Sequence, residues 1–541
     1  MYPLLAALIL VTALGAPGAA VGEPRLVEAY PNPATMGDDG EFVSVWVPPG
    51  ESFEGYELAD EHARVPLPHD SINRNQSTLI DRLIPGSGHT FSTNATLTES
   101  LTDREVTEIS DEIRLADRGD RITLRRNGSV VDRLTYDWAP EADVYHPTSE
   151  TWEPLGATTL PPVEDRGGAV EAFVLPDEGE RARALLADAD ERILLAGYTL
   201  SSDVVVEELS SAVERNVTVE VLVDGAPVGG MTGQAAASLD ELERAGVSVE
   251  VIGGDRARYR FHHAKYAVVD DKALVTSENW KPAGTGGQSS RGWGVITGQP
   301  DIVEGLVRTF RADTGWQDSI PWHEYDDATL VDDEQAHRNF PAEFEAERFE
   351  VERTRLLLAP DNAEAEILDV IRGAERRIEI KQVQISDRNF EFLQAVLAAA
   401  KRGVDVRILL SGEWYVEEEN RQLAAWLEEQ AEAENLPLQV RIAEPDGQFE
   451  KIHAKGMIVD QRQVLLGSIN WNNNSVRNNR EVALLLDGES VADYYGDVFQ
   501  ADWERDDGTP GFSIGLAAVV VVLSLVAVGR AMYVRFERNG G

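Results

Sequence analysis

Cysteine is absent from the 541 residues. That excludes a disulfide framework and thiol catalysis, and leaves the redox compartment unspecified. Lysine is scarce: only seven of the 49 basic residues, at 265, 272, 281, 381, 401, 451 and 455. Positive charge as a whole is in short supply, with 49 Lys plus Arg against 95 Asp plus Glu and a formal net charge of −46. A surface so acidic repels nucleic acid and anionic membranes at low salt. In molar salt the Debye length falls to about 3 Å and that repulsion nearly vanishes.

What is present is ordinary in bulk. A hydrophobic fraction of 43% suits a globular protein, and the length calls for two to four domains. The acid is spread along the chain rather than gathered in a tail, and Arg is preferred to Lys. That pattern resembles proteins of salt-loving archaea.

Both ends are apolar. Leu4 to Leu14 followed by Gly15-Ala16-Pro17-Gly18-Ala19-Ala20 reads as a signal peptide over 1–20, although no Lys or Arg precedes the apolar run. Gly511 to Gly529 is interrupted only by Ser513 and Ser524 and resumes to Val534 past Arg530, which predicts a transmembrane helix over 511–534. Arg530, Arg535 and Arg538 place the tail 535–541 in the cytoplasm. The expected location is therefore the cell membrane, crossed once, with the N-terminal ectodomain outside.

Between the ends the pattern changes twice. Residues 23–138 read as short strands with frequent turns, including a hairpin at Asn127-Gly128, and predict an antiparallel β-sandwich. His62, His69 and His89 stand alone there. Residues 139–168, with Pro140, Pro147, Pro154, Pro161 and Pro162, predict a linker. From 169 to 316 strands alternate with helices, with a strand expected over Tyr259–Val269, and 355–506 repeats the order after an acidic connector at 317–354. Pro176-Asp177 is echoed by Pro360-Asp361 and Val217 to Gly225 by Val404 to Gly412, so the α/β region is an internal duplication.

Each copy carries one chemical motif of the form H-x-K-x4-D. The first is His263, Lys265 and Asp270; the second is His453, Lys455 and Asp460. Ser277-Glu278-Asn279-Trp280 and Ser468-Ile469-Asn470-Trp471 follow. On a strand, residues i and i+2 share a face, so each histidine stands beside an ammonium. An imidazole next to a fixed positive charge suits an anionic tetrahedral centre, and the Ser and Asn side chains add neutral donors. Displacement at phosphorus is in-line. Two copies about a pseudo-twofold axis can therefore flank one phosphate, one histidine attacking while the other protonates the leaving oxygen. No metal and no cofactor are called for. His262, facing away from His263, is expected to pack rather than react.

The doubled motif, each followed by Ser-x-Asn, resembles the phospholipase D superfamily over about 169–506. The resemblance implies a metal-independent phosphodiesterase with a covalent phosphohistidine, His263 as nucleophile and His453 as acid/base. Glu481 matches that family's following acid, an orienter of a site histidine. In the first copy Arg291-Gly292-Trp293 stands there without an acid, Thr276 replaces Gly, and one residue is missing between Asp270 and Ser277. Tyr30-Pro31-Asn32-Pro33 through Tyr136 resembles the lamin-tail domain, an immunoglobulin-like module. The expected substrate is a phospholipid headgroup, hydrolysed or transferred. The alternatives are an extracellular endonuclease and a catalytically silent cell-surface binding protein. No obligatory protein partner is evident.

Overall fold

Period-two apolar patterning before residue 155 and βα periodicity after it each close a core of their own. A computed structural model divides the chain into two units, Met1–Leu155 and Gly156–Gly541. It describes residues 24–505 except 34–39, 49–51, 61, 69–86, 93–105, 110–113, 142, 159, 255–256, 317, 327, 333–337, 444 and 446. The expected signal peptide (1–20), membrane span (511–534) and cytoplasmic tail (535–541), together with His69 and the side chain of His89, lie outside the described residues. Among the described residues no helix is long and apolar enough to cross a membrane.

The first unit is a sandwich. One sheet runs in the order Thr151–Pro154, Asp143–His146, Arg25–Tyr30, Phe42–Val47, Ser87–Ser92, Val106–Glu108; the other runs Arg64–Pro66, Tyr56–Ala59, Asp120–Arg126, Ser129–Tyr136. Val45, Leu58, Phe91, Ile122, Leu124 and Leu134 meet between them. The hairpin forms where Asn127 (φ +48°) and Gly128 (φ +82°) accept the left-handed backbone that a two-residue turn needs. The expected boundary at 138 and linker at 139–168 are corrected here. Asp143–His146 and Thr151–Pro154 pair as a hairpin on the sheet edge, because Tyr145 and Trp152 pack at 4.9 Å and Trp152 meets Tyr136 at 5.6 Å. The prolines flank these strands rather than loosening the chain.

The second unit holds both copies. The first copy's sheet runs Ser319–Pro321, Ser248–Ile252, Thr218–Asp224, Arg192–Gly197, Tyr266–Val269, Lys272–Thr276, Ser290–Thr297, Ala169–Leu175, Glu347–Glu350. The second runs Val163–Arg166, Arg353–Ala359, Glu481–Asp487, Gln463–Gly467, Gly456–Val459, Arg377–Gln382, Asp405–Ser411, Leu438–Ala443. The central strand order is the same in both, as a duplication requires. The edges are exchanged. Val163–Arg166 precedes the first copy but pairs with Arg353–Ala359 of the second, and Glu347–Glu350 precedes the second but pairs with Ala169–Leu175 of the first. The last part of the supposed linker and the end of the acidic connector thus interlock the halves.

Alternation decides which layer each side chain joins. Val170, Ala172 and Val174 enter a core shared with Leu356, Leu358, Leu466 and Leu484 of the other half, whereas Phe173 and Leu175 turn to the first half's outer helices. Helices Pro300–Thr314 and Glu489–Arg505 contribute Leu306, Phe310, Tyr495 and Phe499 to the shared core. The two sheets are therefore held face to face by one apolar interior, which carries the strands of both motifs.

Candidate active site

The strand expected over Tyr259–Val269 is shorter, spanning only Tyr266–Val269. Residues before it leave the sheet because their backbone has partners in the other half. The His263 N–H donates to the Arg480 carbonyl at 2.9 Å, and the His453 N–H donates to the Arg291 carbonyl at 3.0 Å. Each histidine is thus laid on the strand of the opposite copy. His262 is buried, with Nε2 3.3 Å from the buried Asp313 carboxylate.

That crossing sets the orientation of both rings. His263 Nδ1 lies 2.8 Å from Glu481 Oε2, and His453 Nδ1 lies 3.2 Å from Glu278 Oε2. A carboxylate accepts, so Nδ1 carries the proton in each ring and Nε2 is left facing the site. Glu481, the acid matched through the resemblance, faces the histidine of the other copy. The first copy has no acid at the matching position, and Glu278 supplies the carboxylate from elsewhere. Gly292 is the position equivalent to Glu481, next to Arg291 as Glu481 is next to Arg480. A Cβ built on Gly292 falls 2.3 Å from Glu278 Cγ. The acid has moved from one strand to its neighbour, and glycine leaves the space it occupies.

This swap gives an expected result. Glu278→Ile, which copies Ile469 of the second half, should lower kcat by at least about 100-fold, as loss of a histidine-orienting carboxylate does. Adding Gly292→Glu should restore most of it. Glu278 also raises the proton affinity of His453. Removing its charge lowers that pKa, so a rate limb that needs protonated His453 moves to lower pH in Glu278→Gln.

Both lysines close in on the same space. Lys455 Nζ lies 3.2 Å from His453 Nε2 and 3.5 Å from the Ser277 carbonyl of the other copy. Lys265 Nζ donates to the His263 carbonyl and lies 5.2 Å from the centroid of the Tyr198 ring, which also meets the His263 ring at 4.6 Å. Burial, opposed by Glu481 and helped by Lys265, pushes the His263 imidazole down to about 4. Burial and then Lys455 push His453 down to about 3. Burial also takes Lys265 well below its usual range and Lys455 to about 8. For Glu481 and Glu278 the upward push of burial is outweighed by the facing histidine and the lysines, so both stay ionised at neutral pH. Lys455 reaches the Ser277 carbonyl of the first copy, and each histidine sits against a glutamate of the other copy, so both motifs meet at the seam between the halves.

The remaining expected residues divide. Ser468 Oγ donates to the Val482 carbonyl at 3.2 Å and Ser277 Oγ accepts the Trp293 N–H at 3.0 Å, so both hydroxyls first brace strands. Asn279 is buried with Oδ1 unpartnered, and Asn470 is half-buried. Asp270 and Asp460 do not join the histidines. Each ends its strand in the left-handed region, φ +53° and +55°, and Asp270 lies about 16 Å along the chain from Lys265 at strand rise. Asp270 accepts the N–H groups of Asp190, Glu191 and Arg192, and Asp460 those of Glu375, Arg376 and Arg377. These two are corrected from catalytic to structural. The missing residue of the first copy falls in this same turn, where Val269 pairs with Lys272 but Val459 with Gln463, so the site is unaffected.

Asp270→Ala should cost about 1–2 kcal/mol of stability and leave kcat unchanged. The three N–H donors outweigh burial and lower the Asp270 pKa below its unfolded value. Its contribution is therefore complete above that unfolded value and lost as pH falls through the folded one. The wild-type and Asp270→Ala unfolding curves should converge below about pH 4.

Two residues that sequence reasoning passed over anchor the whole. Arg480 is buried between Asp313 of the first half and Asp361 of the second, at 3.0 and 2.6 Å, with Tyr259 against it. Arg291 is buried between Asp177 and Asp502, and Lys381 pairs with Asp502 at 2.5 Å. Each arginine immediately precedes the seat of an orienting acid and binds both halves. Among the described residues no group of three or more His, Asp or Glu is placed to hold a metal ion.

A family model described as "Cardiolipin synthase, PLD-like domain" matches residues 183–314 and 367–503. The chain is 29% identical over 129 residues to DISARM protein DrmC of Bacillus paralicheniformis, covering 24% of this chain and 50% of that one. It is 33% identical over 58 residues to the mitochondrial cardiolipin hydrolase of Canis lupus familiaris, covering 11% and 23%. The matched stretches thus span half or less of these relatives' own length. A solved phosphatidylserine synthase of Haemophilus influenzae superposes with TM-score 0.49 at 13% identity, over 67% of this chain and 94% of that one.

Proposed function

The chain belongs to the phospholipase D superfamily of phosphodiesterases and phospholipid-modifying enzymes, and we propose that it is a membrane-anchored extracellular member that hydrolyses or transfers a phospholipid headgroup through a phosphohistidine. One observation carries this reading: two imidazoles from opposite halves are each held by the other half's glutamate, with each motif's lysine beside its own histidine.

The chemistry follows from the tautomers. The lone pair of His263 Nε2 attacks phosphorus, the bond to the leaving alcohol breaks, and that oxygen takes a proton from His453 Nε2. Water, or an acceptor alcohol, then enters from the vacated side and gives its proton to His453 as the P–N bond breaks. In the empty site both imidazoles are neutral at pH 7, as a nucleophile requires. A bound phosphodiester adds negative charge and raises both proton affinities, so the acid acquires its proton with the substrate. Lys265 and Lys455 offset the charge on the equatorial oxygens. His263 is given the attacking role because the superfamily's N-terminal histidine commonly has it.

A phospholipid is favoured over nucleic acid by two facts. The curated relative matched at 33% identity acts, by its name, on cardiolipin, and a chain of net charge −46 repels a nucleic-acid strand at low salt. The apolar run 511–534 supplies the anchor. Turnover of phospholipid vesicles against single-stranded DNA, in molar salt, tests the reading. Headgroup release without DNA cleavage supports it, and the reverse overturns it.

A further inference from the structure

Six large apolar side chains are exposed among the described residues of the catalytic unit: Val204, Val228, Leu330, Val331, Trp414 and Tyr415. Trp414 is 83% exposed, Val228 75% and Leu330 60%. In soluble proteins such residues are scattered singly. Here the fold gathers them at one end. Val204 opens the helix Asp203–Glu214 just past strand Arg192–Gly197. Val228 follows strand Thr218–Asp224, and its N–H donates to the hydroxyl of Tyr198, the ring that packs on His263. Leu330-Val331 pairs with Met231-Thr232, which leads from that same loop into helix Gly233–Ala245. Trp414 and Tyr415 stand at the matching end of strand Asp405–Ser411 in the second half. All six stand at strand ends on the side of the sheets where the two histidines lie.

The chain itself leaves at that end. Helix Glu489–Arg505 rises from the far end of strand Glu481–Asp487, and Asp502, one turn from its terminus, grips Arg291 beside Gly292 and Glu278. Between Arg505 and the apolar run beginning at Gly511 only residues 506–510 intervene, a reach of about 21 Å at most. A span in a bilayer would thus keep this end of the catalytic unit within about 21 Å of lipid.

We propose that this face docks on the bilayer surface, with Trp414, Tyr415, Val228 and Leu330 entering the interface around the site mouth, so that phospholipid passes from the membrane to the histidines without crossing water. The proposal rests on the phospholipid reading above and adds where that substrate comes from. Val228 and Leu330 offer no π face for a nucleotide base, whereas Trp and Tyr beside aliphatic side chains suit the headgroup level of a membrane. The acidic surface repels anionic lipid at low salt, but apolar insertion is not charge-dependent and strengthens in kosmotropic salt.

The absence of cysteine allows a direct test. Full-length chain carrying His263→Asn, with a single nitroxide at Leu330→Cys, Trp414→Cys or, at the opposite strand end, Asp271→Cys, is placed in phosphatidylcholine nanodiscs in molar salt. Labels at 330 and 414 are expected to collide more with oxygen than with a water-soluble nickel chelate, and the label at 271 the reverse. Equal nickel access at all three positions overturns docking. Spin–spin broadening that grows when two chains occupy one disc assigns the face to a second copy and overturns it too. Separately, the full-length enzyme with Trp414→Ser and Leu330→Ser should lose at least about tenfold in turnover of vesicle phospholipid and keep its turnover of soluble bis(p-nitrophenyl) phosphate. Lipid-embedded labels without phospholipid turnover would leave docking standing and sink the substrate reading. Turnover of phospholipid with water-exposed labels would do the opposite.

Discussion

His263→Asn should abolish turnover of every phosphodiester, by roughly 10⁴-fold or more, and yield no phospho-enzyme. His453→Asn should behave differently. With an alkyl leaving group, which needs a proton, the first step slows by about 10²–10⁴-fold. With p-nitrophenol as leaving group no proton is needed, so the first step should continue and the phospho-enzyme should accumulate, since no base remains to activate water. Acid-quench trapping of labelled enzyme reads both outcomes. The prediction follows from the separate tethering of the rings: Glu481 holds His263 and Glu278 holds His453, so losing one ring leaves the other in place. Label lost equally in both variants, with either leaving group, would mean the two roles are not divided as assigned.

The second large effect concerns stability. Arg480→Ala should destabilise the catalytic unit by about 3–5 kcal/mol, because it takes from the buried Asp313 and Asp361 carboxylates the guanidinium they share. Denaturant unfolding in molar salt measures it. Adding Asp313→Asn should recover part of the loss, since one uncompensated charge is then gone. A double variant no more stable than Arg480→Ala would show that the pairing is not the cause. Because Arg480 adjoins Glu481 and receives the backbone N–H of His263 on its carbonyl, activity should fall with stability rather than independently of it.

The sequence carried the duplication, the alternation of strands with helices and the two motifs because these depend on local pattern. Val217 to Gly225 and its echo fold as equivalent strands, Thr218–Asp224 and Asp405–Ser411. Other features depend on what faces what across the two halves, which no local window holds. Residues 139–168 read as a linker on their prolines, yet Val163–Arg166 completes the other half's sheet. Asp270 and Asp460 entered the motif by spacing, and their work is to cap three N–H groups apiece. Glu278 was in plain view between Ser277 and Asn279. Its role became readable only with Gly292 opposite, since a missing side chain on one strand is what lets an acid lie across from the next. Arg291 and Arg480 looked like ordinary charged residues and are among the largest fully buried side chains.

The stereochemical course at phosphorus probes the whole account. With a phosphorothioate diester of known configuration at phosphorus, two successive in-line displacements at one site, by His263 and then by water or alcohol, predict net retention. Net inversion would mean that water attacks directly, and the covalent role of His263 would be wrong.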